Sequence, residues 1–279
     1  MKNCLFMCCH SGFSVTPPLF VPIQCGAVLN PRVQGCQYDD QGDSISALNR
    51  EYCELTAHYY AWKNITADHY GFCHYRRFFA PGSDTRRPYI VRKSLSRRGQ
   101  HLLGTPGQLE SLISESGIIA PRPENMGLSV MEHYCTSAHH FSGDLELFLE
   151  ILLKRSPEIT SAANEYLSQN SQYFCNMFIM DREHFDEYCG LLFPALAEFD
   201  SRKTRHGYFQ ADRTDGYLGE LFTGMYITWA KQRGTKISEL PRLDTECPSG
   251  KLLGYYIFPP ETKIRFLAKR LAKRLKNKK

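Results

Sequence analysis

The sequence lacks most of the signatures that would place it at once. No apolar run approaches the roughly 18–20 residues needed to span a bilayer, and no segment repeats at a fixed period. None of the eleven cysteines forms a CxxC pair, and Cys8–Cys9 is vicinal, so zinc ligation is not expected. The opening stretch, MKNCLFMCCHSGF, holds one lysine and a short apolar run that polar residues soon end. It reads as a first buried strand rather than a signal peptide. An odd cysteine count without a secretory signal fits free thiols in a reducing cytosol, most of them acting as small hydrophobes. With 42% hydrophobic and 23% charged residues, 20 Gly and 15 Pro in 279, disordered, collagen-like and low-complexity chains are excluded as well.

Acidic residues are absent from one place in particular. Residues 263–279 (KIRFLAKRLAKRLKNKK) hold nine Lys or Arg and no acid. The chain as a whole is at +5, so the remainder carries 25 basic against 29 acidic residues. A uniformly basic nucleic-acid binder would not divide its charge in this way. The tail spaces Ile264, Leu267, Leu271 and Leu275 along one stripe of a helix, with basic residues around the rest. That pattern suits an anionic lipid surface, to which each Lys or Arg contributes about 1 kcal/mol. A helix packed on its own domain is the alternative.

The rest of the chain alternates short apolar runs with helical patterns. Strands are expected at 2–9, 69–73, 117–120, 174–180 and 236–240. Helices are expected at 46–63, 106–115, 129–155, 157–169, 182–199 and 216–232, with Ser46 as the first N-cap. Residues 80–106 form a long basic loop. The alternation predicts an α/β domain with a largely parallel sheet. Ligands of such sheets bind at the carboxyl ends of strands, which directs attention to the residues just beyond Cys9, Cys73 and Met180.

After Cys73 come His74, Tyr75, Arg76 and Arg77. Paired guanidinium forks there match the oxygens of a diphosphate, or they pair with nearby carboxylates. Asp43 lies in a polar loop where it could accept from ribose hydroxyls, with Asn49 beyond it. Glu54 sits between Tyr52 and Leu55 on an apolar face, where a buried carboxylate needs a partner such as Arg76 or Arg77. His133, Tyr134, His139, His140 and Asp144 form a polar cluster without HExxH spacing. Asp212, Arg213, Asp215 and Glu220 surround a helix start, where the dipole stabilises Asp215 as an anion. Glu220 lies one turn further in and is less simply explained.

Taken in order, these segments resemble a family of bacterial glycosyltransferases from capsular and exopolysaccharide loci, long classed as a domain of unknown function. The resemblance rests on His10, PIQCGA (22–27), GDSIS (42–46), NREYCELTAHYYAWKN (49–64) and YGFCHYRRFF (70–79). Further along it rests on His140 with Asp144, NMFIMDREHFDEYCGLLFPAL (176–196), and Arg213 with GYLGELF (216–222). It covers nearly all of residues 1–235. One departure is His10-Ser11, where relatives usually read His-Lys, leaving one fewer cation.

The resemblance implies a GT-A-like, Rossmann-type fold, expected over residues 1–255; the region after Tyr255 has no match in the family, and 256–279 is expected from its own residues to be a basic membrane-associating tail. The resemblance also implies a nucleotide-sugar donor, expected here to be UDP-linked, and transfer to a lipid-linked glycan at the inner face of the cell membrane. Some relatives look like galactosyl- or galactofuranosyltransferases, which leaves the donor sugar open. Many GT-A enzymes hold a metal with Asp-x-Asp, a motif that occurs nowhere here. Arg76 and Arg77 are therefore expected to replace the metal, with Mn²⁺ or Mg²⁺ still open. Glu220 is the expected base. His10, Asp43, Asn49, Glu54, His74, Tyr75 and Asn176 are expected on the donor side, and His140, Asp144, Arg213 and Asp215 on the acceptor side. A non-catalytic binder of nucleotide sugars or phosphoglycans is the other reading.

Overall fold

A computed structural model describes residues 2–207 and 212–257. At its centre lies β1 (Asn3–Cys9), whose residues alternate between two cores. Cys4, Phe6 and Cys8 enter one apolar cluster, while Leu5, Met7 and Cys9 enter the other. A strand buried on both faces shows no polar alternation, which explains the continuous apolar run in the sequence. Parallel neighbours flank it: β2 (Val21–Gln24) on one side and β4 (His69–His74) on the other. β3 (Gln37–Tyr38) extends the sheet beyond β2.

Beyond β4 come β10 (Phe178–Asp181), β7 (Ile118–Pro121) and β11 (Ile237–Leu240), giving the order β11-β7-β10-β4-β1-β2-β3. β10 runs antiparallel to both its neighbours, and the other six strands run one way. The expected α/β architecture therefore holds, with one reversal. That reversal corrects the expectation about Met180: the carboxyl end of β10 faces away from the ends of β1 and β4. The segment entering β10, residues 174–177, reaches that edge instead. A side ribbon joins there, in which β5 (Arg77–Phe79) pairs with β12 (Arg242–Asp244), and β12 with β6 (Tyr89–Val91). β8 (Glu124–Asn125) and β9 (Ser171–Gln172) form a separate pair.

The helices follow their local signals where these are strong. The helix α3 (Pro106–Glu115) starts on a Thr105–Gln108 capping box with proline in its first turn, as the sequence predicts. The pattern over 46–63 is divided. A 3₁₀ turn (Ser46–Leu48) leads into α1 (Asn49–Tyr52), and α2 (Leu55–Asn64) follows after Cys53, which has φ 52°. Ser46 is not a helix cap; its hydroxyl donates to buried Asp39 at 2.6 Å. The 129–155 pattern is likewise divided into α4 (Val130–Cys135) and α5 (Ser142–Arg155), with His140 in the gap. Then come α6 (Thr160–Ser168), α7 (Arg182–Arg202), α8 (Thr214–Gln232) and α9 (Ser249–Ile257).

Rings of Phe72, Phe178, Phe185, Tyr188, Phe222 and Tyr226 pack in sequence between β4, β10, α7 and α8, with centroids 5.0–6.2 Å apart. Burying such rings contributes about 1.5–3 kcal/mol each and fixes α8 against the sheet. Among the described residues no helix is long and apolar enough to cross a membrane. The basic stripe at 263–279 lies outside the described residues.

Candidate active site

His74, Tyr75, Arg76 and Arg77 form a tight hairpin. His74 ends β4 and pairs across it with Arg77, the first residue of β5. The Arg76 amide donates to His74 Nδ1 at 3.1 Å, so the imidazole proton resides on Nε2, 3.8 Å from Glu54 Oε1. Burial pushes the His74 imidazole down to about 2, with Arg77 and Arg76 adding to the effect. His74 is thus neutral and cannot serve as a cation. The Tyr75 hydroxyl lies 3.1 Å from His10 Nε2, and the Arg76 guanidinium stacks 4.8 Å from the Tyr75 ring centre.

Two clefts of about 380 Å³ each open at this edge of the sheet. The first lies over the ends of β1 and β4, bordered by Cys9, His10, Leu29, Asn30, Asn49 and His74. The second is bordered by Arg77, Glu124, His140, Asn176, Glu220 and Arg242 among others. Cys53, Glu54 and Arg213 border both. The first cleft thus lies at the strand ends to which the strand-end rule points, and the hairpin and α8 border the second.

Glu220 projects from α8 into the second cleft, and its carboxylate accepts the Cys175 amide. Burial raises it to about 7; the Cys175 hydrogen bond and the Arg77 charge oppose the rise, and Glu54 adds to it. A carboxylate poised there can accept a proton near neutrality and release it again. Arg77 lines the same cleft, and among the described residues its guanidinium makes no hydrogen bond or ion pair. Asn176 donates from Nδ2 to the Gly216 carbonyl at 3.1 Å, which leaves its buried Oδ1 without a partner. His140 is sandwiched by Tyr134 and Tyr217, with centroids 4.3 and 4.4 Å away, and burial lowers it to about 4.

The backbone is strained at the same place. Cys53 (φ 52°), Cys175 (φ 85°) and Asn176 (φ 46°) are three of the five non-glycine residues with positive φ among those described. Each such residue costs on the order of 1–3 kcal/mol, and such costs cluster at working sites. Gly216 permits the close approach of α8 to this strained segment. A Cβ there would lie 2.9 Å from Cys53 Sγ and 3.1 Å from its Cβ.

Several expected site residues lie elsewhere. Asp43 is exposed, accepts from the Tyr59 hydroxyl at 3.1 Å, and borders neither cleft. Asp144 is buried against His206 at 2.9 Å and Thr214 at 3.3 Å, so it anchors the approach to α8. Asp215 is fully buried in an ion pair with Lys203, and burial raises it to about 6. Arg76 and Tyr75 stack on each other beside the clefts rather than lining them. Arg213 stands at the junction of the two clefts.

Three residues of the second cleft and its surroundings carry no strong mark in the sequence. Arg242 and Asp244 alternate along β12, so both face the second cleft, and Arg-x-Asp within a short strand was the available signal. Glu124 completes the group, 2.8 Å from Arg242. Buried Asp39 is a further omission: it accepts the amides of Gly26 (2.8 Å) and Ala27 (3.0 Å) and so shapes the turn bordering the first cleft.

Among the described residues, one group places three metal-ligating atoms within reach of a single ion: Glu51, Asp200 and Asp215. Lys203 already serves it, with its ammonium 2.7 Å from Asp200 and 3.3 Å from Glu51. This donor set lies away from both clefts and fits an ammonium rather than a catalytic metal.

Residues 4–232 match the family described as a domain of unknown function, DUF4422. The chain belongs to the DUF4422 family. No curated protein matches it significantly. Among solved structures, the apo form of WbbM, a bifunctional glycosyltransferase, is similar with a TM-score of 0.81 and 25% identity. The match covers 88% of this chain and 45% of WbbM, so this DUF4422 chain spans less than half of that protein. Both clefts fall largely within the DUF4422 match, but Arg242 and Asp244 lie beyond it.

Proposed function

We propose that the chain is a glycosyltransferase that uses a nucleotide-diphosphate sugar and a glycan acceptor. The observation that carries the reading is Glu220, raised by burial to about 7, beside Arg77, which has no ion-pair partner among the described residues, in a cleft that Arg213 joins to a second one. The similarity to a glycosyltransferase structure supports it. The first cleft takes the nucleoside, with Asn49, Asn30 and His10 at its border. The diphosphate lies at the junction, and the sugar and acceptor meet in the second cleft.

The residues then set the chemistry. The acceptor hydroxyl gives its proton to the Glu220 carboxylate while its oxygen bonds to the anomeric carbon. The bond from that carbon to the diphosphate breaks, and its electron pair leaves on the diphosphate oxygen. Arg213 and Arg77 stabilise the developing charge as preorganised donors. The Asn176 Oδ1 accepts from a sugar hydroxyl, and the ring of Tyr217 offers an apolar surface to a pyranose or furanose face. Displacement of this kind inverts the anomeric centre. We take the donor to be UDP-linked, the acceptor to be lipid-linked, and the reaction to proceed without a bound metal.

Attachment to an anionic membrane surface is part of the same proposal. On α9, Leu253, Tyr256 and Ile257 are 61%, 61% and 53% exposed, directly ahead of the basic stripe at 263–279. An apolar patch followed by clustered cations is a two-part anchor. The deciding experiment measures nucleoside diphosphate release from a panel of nucleotide sugars, with and without lipid-linked glycans. Acceptor-dependent release supports the transferase. Donor binding without release under every pairing would make the protein a non-catalytic binder.

A further inference from the structure

Among the described residues the Arg77 guanidinium has no hydrogen bond or ion pair, although a carboxylate lies directly opposite it. In the antiparallel ladder of β5 and β12, Asp244 is the cross-strand partner of Arg77. Side chains at such positions stand about 4.5–5.5 Å apart at Cβ and pair readily when oppositely charged. Here they do not pair within ion-pair distance. Arg242, two residues before Asp244 on the same strand face, engages it first. Its Nε donates to Asp244 Oδ1 at 2.6 Å and its Nη2 to Oδ2 at 3.3 Å. Glu124 fixes the far side of the same guanidinium at 2.8 Å. Arg242, Asp244 and Arg77 all border the second cleft.

We infer that Arg242 is a positioning residue that withholds Asp244 from Arg77 and so keeps the Arg77 guanidinium available to an anionic ligand. This deepens the proposed function and rests on it, naming what keeps the diphosphate-stabilising cation free. Arg242 and Asp244 lie outside the DUF4422 match, whereas Arg77 and Glu124 lie within it, and the planar guanidinium fork holds both Asp244 oxygens and Glu124 in fixed directions. Loss of Arg242 removes its two hydrogen bonds to Asp244 and lets that carboxylate turn to Arg77 and neutralise it. The charge change also reaches Glu220, which is faced by Glu54, Arg77, Cys175, Tyr166, Tyr217 and Arg242.

The test reads the Arg77 side chain itself by ¹⁵N NMR, with its Nε–H assigned by loss in Arg77→Lys. Glu124→Gln accompanies Arg242→Met so that no carboxylate is left buried without its partner. The double variant should show a new, slowly exchanging Arg77 Nε–H, and adding Asp244→Asn should remove it. In parallel, calorimetry with UDP as probe should show affinity falling by about tenfold or more in the double variant and largely recovering in the triple one. Absence of the new resonance in a folded double variant, or its persistence in the triple one, overturns the inference. Asp244→Asn alone, nearly isosteric, supplies a second check: exchange of the Arg77 Nε–H should be fast before and after the change, and slow exchange that Asp244→Asn abolishes means that Asp244 was its partner all along. Failure of UDP to bind the unaltered protein would count against the donor assignment, while the NMR arms would still decide the role of Arg242.

Discussion

Replacing Glu220 with Gln keeps its shape and its acceptor for the Cys175 amide but removes its charge and basicity. Burial raises this carboxyl from 4.5 to about 7 in the folded protein. Its proton is therefore held more tightly folded than unfolded. The associated stability is complete below the unfolded value and is lost as pH rises through the folded one. At 1.36 kcal/mol per unit, the ionised group costs the fold on the order of 3 kcal/mol above pH 7. Gln stands in permanently for the protonated form, so Glu220→Gln should stabilise the protein little at pH 5. Its benefit should grow to about 2–3 kcal/mol by pH 8 and then level off. Urea unfolding at four pH values measures this directly. In the same variant turnover should fall by about 10²–10⁴-fold, as for loss of a general base. The unaltered enzyme should gain rate through pH 7. A variant less stable at pH 8, or a stability difference independent of pH, would refute the reasoning.

Other consequences can be checked in parallel. Arg77→Met and Arg213→Met should each lower turnover by about 10²–10³-fold, whereas Arg76→Met, whose side chain stacks on Tyr75, should lower it far less; steady-state kinetics of the three variants decide this. Gly216→Ala drives a methyl against Cys53, so activity should drop while a thermal melt shows a folded protein. Lys203→Met leaves Asp200 and buried Asp215 without their cation, while Glu51 keeps Arg205, and should cost about 3–5 kcal/mol in denaturant unfolding. Removing residues 258–279 should abolish sedimentation with anionic vesicles and leave rates on a soluble acceptor unchanged.

Legibility in the sequence tracked the range of each interaction. The strand Asn3–Cys9 and the helix Pro106–Glu115 could be read locally, because burial on both faces and a capping box leave marks within a few residues. The division of the 46–63 pattern at Cys53 could not, since apolar spacing continues across it and only tertiary packing holds a cysteine at positive φ. Direction was likewise hidden: FCNMFIM specifies a buried strand but not that it runs against its neighbours. Glu220 and Arg77 were legible as odd residues in unusual places. Asp144 and Asp215 were equally odd, yet their partners, His206 and Lys203, lie in a polar segment whose folding back onto them no local pattern announces. Arg242 shows the opposite error, where a short strand after a proline concealed a side chain of the cleft.

The most direct test of a guanidinium-built donor site is calorimetric titration of the purified protein with nucleoside diphosphates and their sugar conjugates in EDTA. One nucleotide family should bind with metal removed, and Arg213→Met or Arg77→Met should weaken that binding by at least about tenfold. Binding that appears only on adding Mn²⁺, or survives loss of both arginines, would contradict a site built on guanidinium groups. No binding by any nucleotide would contradict the glycosyltransferase reading itself.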